Sequence, residues 1–273
     1  MNELKTRTIW GLLFVTAIIG AILIGSYTFA ALFFVLSVMT LREFYSLCRT
    51  AGFSPQFYPG LIAGATIFVI SCFVARQTID YTAFYYVLPL VYAFPVYELY
   101  RKKDKPLANI ALTGYGIVYV SIPFAMLNFL AFPAFDAAIH YDYGLLISLF
   151  LFVWASDSGA YLFGVRFGRH RLFERISPKK SWEGLFGGLI TSLATAWILT
   201  FVLPEYSFHL LGVMALVVVI SGTLGDLVES MVKRSIGVKD SGRFMPGHGG
   251  LLDRFDSILL ASPVIYFVFQ FFR

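Results

Sequence analysis

The chain has 273 residues, of which 58% are hydrophobic and only 14% are charged, and this composition excludes an ordinary soluble domain. Its formal net charge of +5 is carried by short segments between apolar runs, where membrane orientation explains it better than nucleic-acid binding does. We therefore expect no nucleic-acid partner. The two cysteines, Cys48 and Cys72, lack CxxC spacing and predict neither a disulfide nor a metal site.

Apolar stretches that are long enough to cross a bilayer as helices recur along the whole chain. We predict about nine transmembrane helices, at residues 9–25, 27–41, 58–75, 81–99, 107–131, 143–164, 184–203, 208–228 and 256–272. The first is interpreted as a retained span, not a cleaved signal, because Tyr27 begins another apolar run almost at once. The pattern predicts an all-α polytopic membrane protein.

The distribution of Lys and Arg predicts the orientation of these helices. With a cytoplasmic N-terminus, 19 of the 21 basic residues fall on the cytoplasmic side, and only Arg76 and Arg273 fall opposite. The C-terminus is then on the opposite side. Residues 1–140 are predicted to form a scaffold of transmembrane helices. Residues 141–273 hold nearly all the dense polar motifs and are predicted to form a catalytic region whose polar loops face the cytoplasm.

The first polar motif lies near the cytoplasmic end of the sixth predicted span. Asp157 stands inside apolar sequence, which is expensive in a bilayer unless the carboxylate is paired or functional. The basic loop that follows leads to Ser177, Lys179 and Lys180, which are candidates for binding a phosphate through a hydroxyl donor and point charges. Attraction to anionic lipid is the alternative for this loop, at about 1 kcal/mol per basic residue.

The end of the eighth predicted span carries four polar residues at helical spacing. Asp226, Glu229, Ser230 and Lys233 occupy positions i, i+3, i+4 and i+7, which share one face if the helix continues. An acid at this depth is costly unless it meets a cation, a metal or a water-filled cavity. Asp226 is therefore a functional candidate. A carboxylate at the water interface, or a purely structural pair of Asp226 with Lys233, is the alternative.

Two further carboxylates, Asp253 and Asp256, are three residues apart at the start of the ninth predicted span and share a face if it is helical. Facing Asp226 from another helix, they would make an oxygen-rich site for Mg²⁺, which binds one or two carboxylates together with waters and substrate phosphates. Capping of the helix N-terminus is the alternative role for Asp253. The two roles are compatible.

A glycine-rich turn at residues 246–250 precedes the ninth span. It is not a Walker A loop, because no Gly-Lys-Ser/Thr follows it. Gly249 and Gly250 could let backbone N–H groups approach a phosphate closely ahead of a helix N-terminus. His248 is a candidate for positioning the phosphate, with the capping of a turn as an equal alternative.

The segment from Ser230 to Asp256 resembles the signature of phosphatidate cytidylyltransferases (CDP-diacylglycerol synthases). The matching positions read Ser230-x-Val232-Lys233-Arg234, Lys239-Asp240-x-Gly242 and Pro246-x-His248-Gly249-Gly250-Leu251-x-Asp253-Arg254-Phe255-Asp256. Met245 departs from the pattern, where the family usually has Leu, Ile or Phe, and this apolar exchange puts little in doubt. Residues 157–168, 177–184 and 225–227 also look like polar blocks of the family. The first half of the chain agrees only in being a series of spans.

The resemblance implies that CTP and phosphatidic acid are converted to CDP-diacylglycerol and pyrophosphate, with Mg²⁺ and a second cation such as K⁺ as cofactors. Catalytic roles then fall to Asp226, Lys233, Arg234, Lys239 and Asp253, and metal binding to Asp226, Asp253 and Asp256. The candidates for binding the nucleotide phosphates are Ser230, Lys233, Arg234, Lys239, Asp240, His248, Gly249, Gly250 and Arg254. The lipid phosphate is assigned to Ser177, Lys179 and Lys180, and Asp157 is a further candidate.

The expected location is a bacterial cytoplasmic (inner) membrane, with the active site facing the cytoplasm and membrane lipid as a partner. A CTP-dependent polyprenol kinase and a transporter of an anionic substrate are the alternatives. The kinase would release CDP instead of pyrophosphate. The transporter is disfavoured by an odd number of spans, the lack of an internal repeat and polar motifs confined to one face. The oligomeric state is left open, with a homodimer among the expected states.

Overall fold

Helices make up most of the structure, a computed structural model that describes residues 3–133, 140–242, 244 and 249–269, with side chains from residue 8 onward. In chain order, the elements are α1 (Glu3–Ile24), α2 (Ser26–Thr50), α3 (Phe57–Ala75), α4 (Val87–Arg101), α5 (Pro106–Gly116), α6 (Ile122–Ala131), α7 (Tyr143–Phe167), β1 (Arg171–Phe173), β2 (Ser177–Ser181), α8 (Trp182–Val202), α9 (Phe208–Ile236) and α10 (Leu252–Phe269). The chain divides into two compact units.

The first unit comprises Met1–Asp142 and Asp240–Arg254, so it contains α1 to α6 and the start of α10. A 3₁₀ turn at Tyr81–Tyr86 leads into α4, and a π-helical turn at Ile117–Ser121 joins α5 to α6. Because that turn is helical, α5 and α6 form one continuous stretch. The segment Asp240–Arg254 belongs to this unit, although the sequence analysis placed it in the region 141–273.

Aromatic side chains form the core of the first unit. Tyr45 on α2 is fully buried, and its hydroxyl donates to the carbonyl oxygen of Thr113 at 2.8 Å. Gly116 faces the same ring, since a Cβ added there would lie 2.6 Å from Tyr45 Cε1. The small residue therefore lets α2 and α5 approach closely, as is typical of helices that pack within membranes.

A buried polar network links α4 and α5 in the first unit. The Glu98 carboxylate accepts hydrogen bonds from Gln56 Nε2 at 2.8 Å, Asn109 Nδ2 at 2.9 Å and Arg101 Nη1 at 2.8 Å. Only 5% of Glu98 is exposed, so the ion pair and the amide donors compensate the desolvation of its charge. We interpret this network as structural.

The second unit comprises Tyr143–Lys239 and Phe255–Arg273, which includes α7, α8, α9, most of α10 and the strands. Its helices α7 and α8 pack through small residues. A Cβ added at Gly188 would lie 2.9 Å from the carbonyl oxygen of Ser156, and one added at Gly159 would overlap Thr191 Oγ1. Only glycine permits this approach of the two backbones.

The structure confirms the prediction of a helical, polytopic membrane protein. Among the described residues, the helices that are long and apolar enough to cross a membrane number six: Ser26–Thr50, Phe57–Ala75, Pro106–Ala131, Tyr143–Phe167, Trp182–Val202 and Phe208–Ile236. Helices α1, α4 and α10 coincide with the three other predicted spans but are shorter in their apolar part or in length. The antiparallel pair of β1 and β2 was not predicted.

Candidate active site

Three carboxylates from two helices meet in the second unit. Asp226 and Glu229 lie on α9, Asp256 lies on α10, and one oxygen atom of each falls within 4.8 Å of the others. Helix α9 continues to Ile236, so the residues at 226, 229, 230 and 233 lie on one helical face, as their spacing predicts. Carboxylates at this separation repel one another unless a cation lies between or beside them.

Close contact between α9 and α10 brings these carboxylates together. A Cβ added at Gly225 would overlap the carbonyl oxygen of Asp256, and one added at Gly222 would lie 3.3 Å from Ser257 Cβ. Larger side chains at these glycines would separate the two helices. The glycine that precedes Asp226 therefore helps to place Asp226 beside Asp256.

Two lysines pair with the acidic cluster. Lys180 Nζ lies 2.6 Å from Asp226 Oδ2, and Lys233 Nζ lies 2.6 Å from Glu229 Oε2. Ser230 Oγ donates to Asp226 Oδ1 at 3.2 Å. Glu229 is only 1% exposed, and a buried charge of this kind depends on its cationic neighbour. Lys233 therefore pairs with Glu229. The structural alternative considered from the sequence was a pair of Lys233 with Asp226.

The short antiparallel hairpin of β1 and β2 carries Lys180 to the cluster. In its last residue, Ser181, Oγ accepts a hydrogen bond from the N–H of Gly184 at 3.1 Å and so caps α8. His170, just before β1, lies 2.6 Å from Glu183 through its Nδ1 and holds the two ends of the hairpin together. The loop that looked only basic in the sequence is thus an ordered support for a lysine of the site.

A cavity of about 240 Å³ opens beside Asp226. Its lining includes the predicted site residues Asp157, Lys179 and Lys180, together with the hydroxyl-bearing residues Ser156, Tyr161, Ser181, Thr223 and Ser257. Liquid water occupies about 30 Å³ per molecule, so the cavity has room for a hydrated cation and a phosphate group. Predicted lipid-phosphate residues and a predicted metal-binding residue therefore line the same space.

The donor set of the cluster fits Mg²⁺. Mg²⁺ prefers carboxylate oxygens and keeps several waters, which the cavity can hold. Three carboxylates against the two paired lysines leave an excess of negative charge when all are ionised, which favours binding of a cation. Asp226, Glu229 and Asp256 are the residues that would hold the ion.

Asp253 has a defined structural role in the first unit. Its Oδ2 atom accepts hydrogen bonds from Ser241 N at 3.0 Å, Ser241 Oγ at 2.9 Å and Gly250 N at 2.8 Å. It lies at the start of α10 and accepts from residues that precede the helix, so these contacts are not the capping of α10 considered above. Its metal-binding role stays a prediction.

The remaining predicted site residues lie on the surface or outside the described part of the chain. Arg234, Lys239, Asp240 and Arg254 are exposed, and Arg234 Nη1 donates to the carbonyl oxygen of Val238 at 3.4 Å. Ser177 begins β2. His248 lies outside the described residues. The roles of these residues in binding nucleotide or lipid phosphate stay predictions.

The glycine-rich turn differs from the predicted phosphate cradle in one respect. Gly249 adopts a positive φ of 83°, and the N–H of Gly250 donates to Asp253. The next two N–H groups, of Leu251 and Leu252, donate to Glu43 at 2.9 Å and 3.0 Å. Carboxylates of the protein therefore accept hydrogen bonds from the amides of Gly250, Leu251 and Leu252, of which Gly250 alone is a predicted phosphate-binding residue.

Two acidic residues that the structure places at these sites were not predicted from the sequence as site residues. Glu229 was recognised on the helical face of Asp226 but was not included among the metal ligands. Glu43 lies in a different part of the chain, 198 residues before Ser241, and no spacing pattern connects the two. Its only sequence signal is a carboxylate directly after the apolar run of α2.

Comparison with known proteins shows the family of the chain. The sequence model of the cytidylyltransferase family matches residues 5–272. A phosphatidate cytidylyltransferase of Staphylococcus haemolyticus is 31% identical over 96% of this chain and 97% of its own length. The proteins of the same name from Staphylococcus saprophyticus and Staphylococcus aureus are 32% and 31% identical, again over 96% of this chain and 97% of their own lengths. The resemblance inferred from the signature is thereby confirmed, and the chain belongs to the cytidylyltransferase family.

Proposed function

We propose that this protein is a phosphatidate cytidylyltransferase, which transfers CMP from CTP to phosphatidic acid and yields CDP-diacylglycerol and pyrophosphate. The family and the names of the full-length relatives support this assignment. The observation that carries it is the cluster of Asp226, Glu229 and Asp256 with Lys180, which borders a cavity large enough for a phosphate group. Such a cluster suits a reaction between two polyanions.

The reaction requires positioning and charge neutralisation more than proton transfer. A phosphate oxygen of phosphatidic acid already carries negative charge, so it can attack the α-phosphorus of CTP without a strong base. The bond between the α-phosphorus and the bridging oxygen breaks, and pyrophosphate leaves with that oxygen and its electron pair. Holding both phosphates in line and screening their repulsion account for the rate.

The cations of this chain are assigned to the two substrates. Lys180, with Ser177 and Lys179 on the same strand, binds the lipid phosphate. Lys233, Arg234, Lys239 and Arg254 bind the triphosphate and stabilise the leaving pyrophosphate, with Ser230, Asp240, His248, Gly249 and Gly250 as further contacts. Lys180 and Lys233 already contact carboxylates of the cluster, so their ammonium groups have fixed positions before substrate binds.

Asp226, Glu229 and Asp256 are proposed as the residues that hold Mg²⁺. A metal-binding role for Asp253 stays the prediction made from the sequence. When bound, Mg²⁺ supplies positive charge to the nucleotide phosphates. A second cation such as K⁺ beside the same acids is part of the proposal. The acidic side chains otherwise orient the lysines, through the 2.6 Å contacts of Asp226 with Lys180 and of Glu229 with Lys233.

The proposed topology has about nine spans, a cytoplasmic N-terminus and a C-terminus on the opposite side of a bacterial cytoplasmic membrane. Contacts within each unit support it. In the first unit, Glu43 near the end of α2 meets the residues that precede α10. In the second unit, the hairpin before α8 meets α9 at Asp226. Both contacts join segments that the charge distribution assigns to the cytoplasmic face.

Pyrophosphate release tests the proposal. Purified protein in mixed micelles of detergent and phosphatidic acid is supplied with Mg²⁺ and CTP, beside reactions with ATP, without lipid and with a chelator. We expect pyrophosphate only when CTP, lipid and Mg²⁺ are all present. Release of CDP instead would indicate a lipid kinase, and failure of folded protein to consume CTP would overturn the proposal.

A further inference from the structure

Glu43 joins α2 to the signature segment within the first unit. Its Oε2 atom accepts a hydrogen bond from the N–H of Leu251 at 2.9 Å, and its Oε1 atom accepts one from the N–H of Leu252 at 3.0 Å. The hydroxyl of Ser241 also contacts Oε1. Leu251 and Leu252 lie at the N-terminus of α10, where backbone N–H groups have no partner within the helix. Glu43 therefore caps α10 from a distant part of the chain.

Two glycines of the signature segment make room for this carboxylate. A Cβ added at Gly242 would lie 2.7 Å from Glu43 Oε2, and one added at Gly250 would overlap Glu43 Oε1. Neither glycine has a positive φ, so backbone conformation does not explain their lack of a side chain. The close approach of the Glu43 carboxylate explains why both positions are glycine.

Ser241 connects Glu43 to Asp253. Its hydroxyl lies within hydrogen-bonding distance of both carboxylates, at 2.9 Å from Asp253 Oδ2, and its single proton is donated to one of them at a time. Its N–H also donates to Asp253 Oδ2, at 3.0 Å. Only 8% of Ser241 is exposed. The placement of Asp253 thus depends on Ser241, which Glu43 also contacts.

We propose that Glu43 is a positioning residue for the reaction, which holds Ser241 and the start of α10, and through Ser241 also Asp253, in the arrangement needed for turnover. It acts through Ser241, Leu251 and Leu252. The inference deepens the proposed function and rests on it for its kinetic part. It also assigns the N-terminal helices a role beyond scaffolding, because the positioning carboxylate comes from α2.

Replacement by glutamine gives a sharp test, because it preserves the shape of the side chain while it removes the negative charge and replaces one acceptor oxygen by an NH₂ donor. One oxygen of Glu43 faces Leu251 N–H, and the other faces Leu252 N–H and the Ser241 hydroxyl. In either orientation of the amide, the new NH₂ group of Glu43→Gln would therefore face a backbone donor. Glu43→Asp keeps both acceptors but is one methylene shorter, so we expect a partial effect.

Glu98→Gln is the matched control. Glu98 is a carboxylate of the first unit that, like Glu43, has donors on both oxygens, but its partners are Gln56, Arg101 and Asn109. Glu98→Gln therefore places an NH₂ donor against other donors, as Glu43→Gln does. The affected hydrogen bonds are those with Gln56, Arg101 and Asn109, and they do not involve Ser241, Leu251 or Leu252. Loss of general stability should affect both variants, whereas loss of positioning should affect Glu43→Gln alone.

The experiment combines hydrogen exchange with steady-state kinetics on the full-length protein in detergent. We expect Glu43→Gln to speed exchange of the amides at 251 and 252 by about 10-fold. We also expect it to lower kcat about 10- to 100-fold, with a change of less than about 3-fold in the KM for CTP. Glu43→Asp should retain more activity than Glu43→Gln, and Glu98→Gln should retain wild-type kcat in its folded fraction. Ser241→Ala, a smaller change, should reproduce part of the loss of kcat.

Several results would overturn the inference. One is unchanged exchange at residues 251 and 252 in Glu43→Gln. Another is an equal loss of kcat in Glu43→Gln and Glu98→Gln, which would indicate a structural role only. If Glu43→Gln does not fold, Ser241→Ala replaces it in the test, and a wild-type kcat in Ser241→Ala would overturn the positioning role of Glu43. A wild-type protein that releases no pyrophosphate would contradict the proposed function instead, while the exchange measurement would still decide whether Glu43 holds the loop.

Discussion

At the scale of single residues, the acidic cluster of the second unit poses an electrostatic problem. Asp226, Glu229 and Asp256 lie on apolar helices, where ionised carboxylates are expensive unless they meet cations or water. Lys180 and Lys233 offset part of the repulsion through contacts at 2.6 Å. Neither of these two ion pairs includes Asp256, so a bound cation would complete the neutralisation of the three carboxylates.

Asp226→Asn tests the cluster directly. The change removes one negative charge and one metal-binding oxygen but keeps the size of the side chain, so the protein should insert and purify normally. We expect pyrophosphate release to fall by at least about 100-fold. Glu205→Gln, at an exposed position between α8 and α9, is the control and should have wild-type activity. Asp253→Asn is expected to lower turnover similarly, and near-normal rates in both Asp variants would contradict the metal assignment.

Lys180→Met tests the role of the hairpin lysine. The variant removes the ammonium group that lies 2.6 Å from Asp226 and borders the cavity. Because that charge screens the repulsion between substrate phosphate and the acidic cluster, we expect kcat to fall about 10- to 100-fold. The matched control is Arg175→Met, an exposed cation between the same two strands. Equal activity of the two variants would show that Lys180 has no role in the reaction.

Local sequence spacing predicted the positions of some of these residues. The contacts of others depend on residues far away in the sequence and could not be predicted from spacing. The face of Asp226 and Lys233 follows from helical periodicity alone, because α9 continues past the apolar run. The contact of Lys180 with Asp226 could not be predicted, since it needs the fold of the hairpin and the packing of α8 on α9. Glu43 was missed for the same reason, because its partners lie about two hundred residues later.

At the scale of elements, small residues decide how closely α7 and α8 pack. Without a hydrophobic effect between helices in lipid, their association relies on close van der Waals contact and interhelical hydrogen bonds. Gly159 and Gly187 provide the contact, and Thr191 Oγ1 donates across the interface to the carbonyl oxygen of Ala155 at 2.8 Å. This packing supports the strand and the helix N-terminus that carry Lys180 and Ser181.

Gly159→Ala should therefore destabilise the protein. The added Cβ would overlap Thr191 Oγ1 and lie 2.7 Å from the carbonyl oxygen of Gly187. Overpacking of this kind costs about 1–3 kcal/mol, so the thermal unfolding midpoint in detergent should fall. Gly114→Ala in α5 is the matched control, because nothing lies within 4 Å of its added Cβ. It should be neutral or stabilising by up to about 1 kcal/mol; a lower midpoint for Gly114→Ala than for Gly159→Ala would refute this account of the interface.

The helices were more predictable than the hairpin. Long apolar runs identify membrane helices because the bilayer forces the backbone to satisfy its own hydrogen bonds. The strands Arg171–Phe173 and Ser177–Ser181 are short and mostly polar, and they lack the alternation of apolar and polar residues that marks a half-buried strand. Their pairing follows from the turn between them and from the anchoring of His170 to Glu183.

At the scale of the whole molecule, the proposed reaction depends on the topology of the chain. The residues assigned to catalysis come from the hairpin, the end of α9 and the start of α10, and all must face the compartment that supplies CTP. The charge distribution predicts that they face the cytoplasm, since 19 of the 21 basic residues fall on that side in the proposed topology. Phosphatidic acid can remain in the bilayer while its phosphate reaches the cavity.

Single-cysteine labelling tests this topology. With Cys48 and Cys72 replaced by Ser, Lys103→Cys follows α4, and Glu205→Cys lies between α8 and α9. We expect a membrane-impermeant maleimide to label Glu205→Cys in spheroplasts and Lys103→Cys only after permeabilisation. Labelling of both positions from the same side would contradict the predicted span count.

The fate of the labelled phosphates of CTP decides which reaction the protein catalyses. Purified protein receives phosphatidic acid, Mg²⁺ and CTP labelled with ³²P at either the α- or the γ-phosphate, and the lipid products are separated. We predict that the α-label appears in CDP-diacylglycerol and that the γ-label leaves as pyrophosphate. Transfer of the γ-label to lipid, or no transfer from either position by folded protein, would contradict the assignment as a phosphatidate cytidylyltransferase.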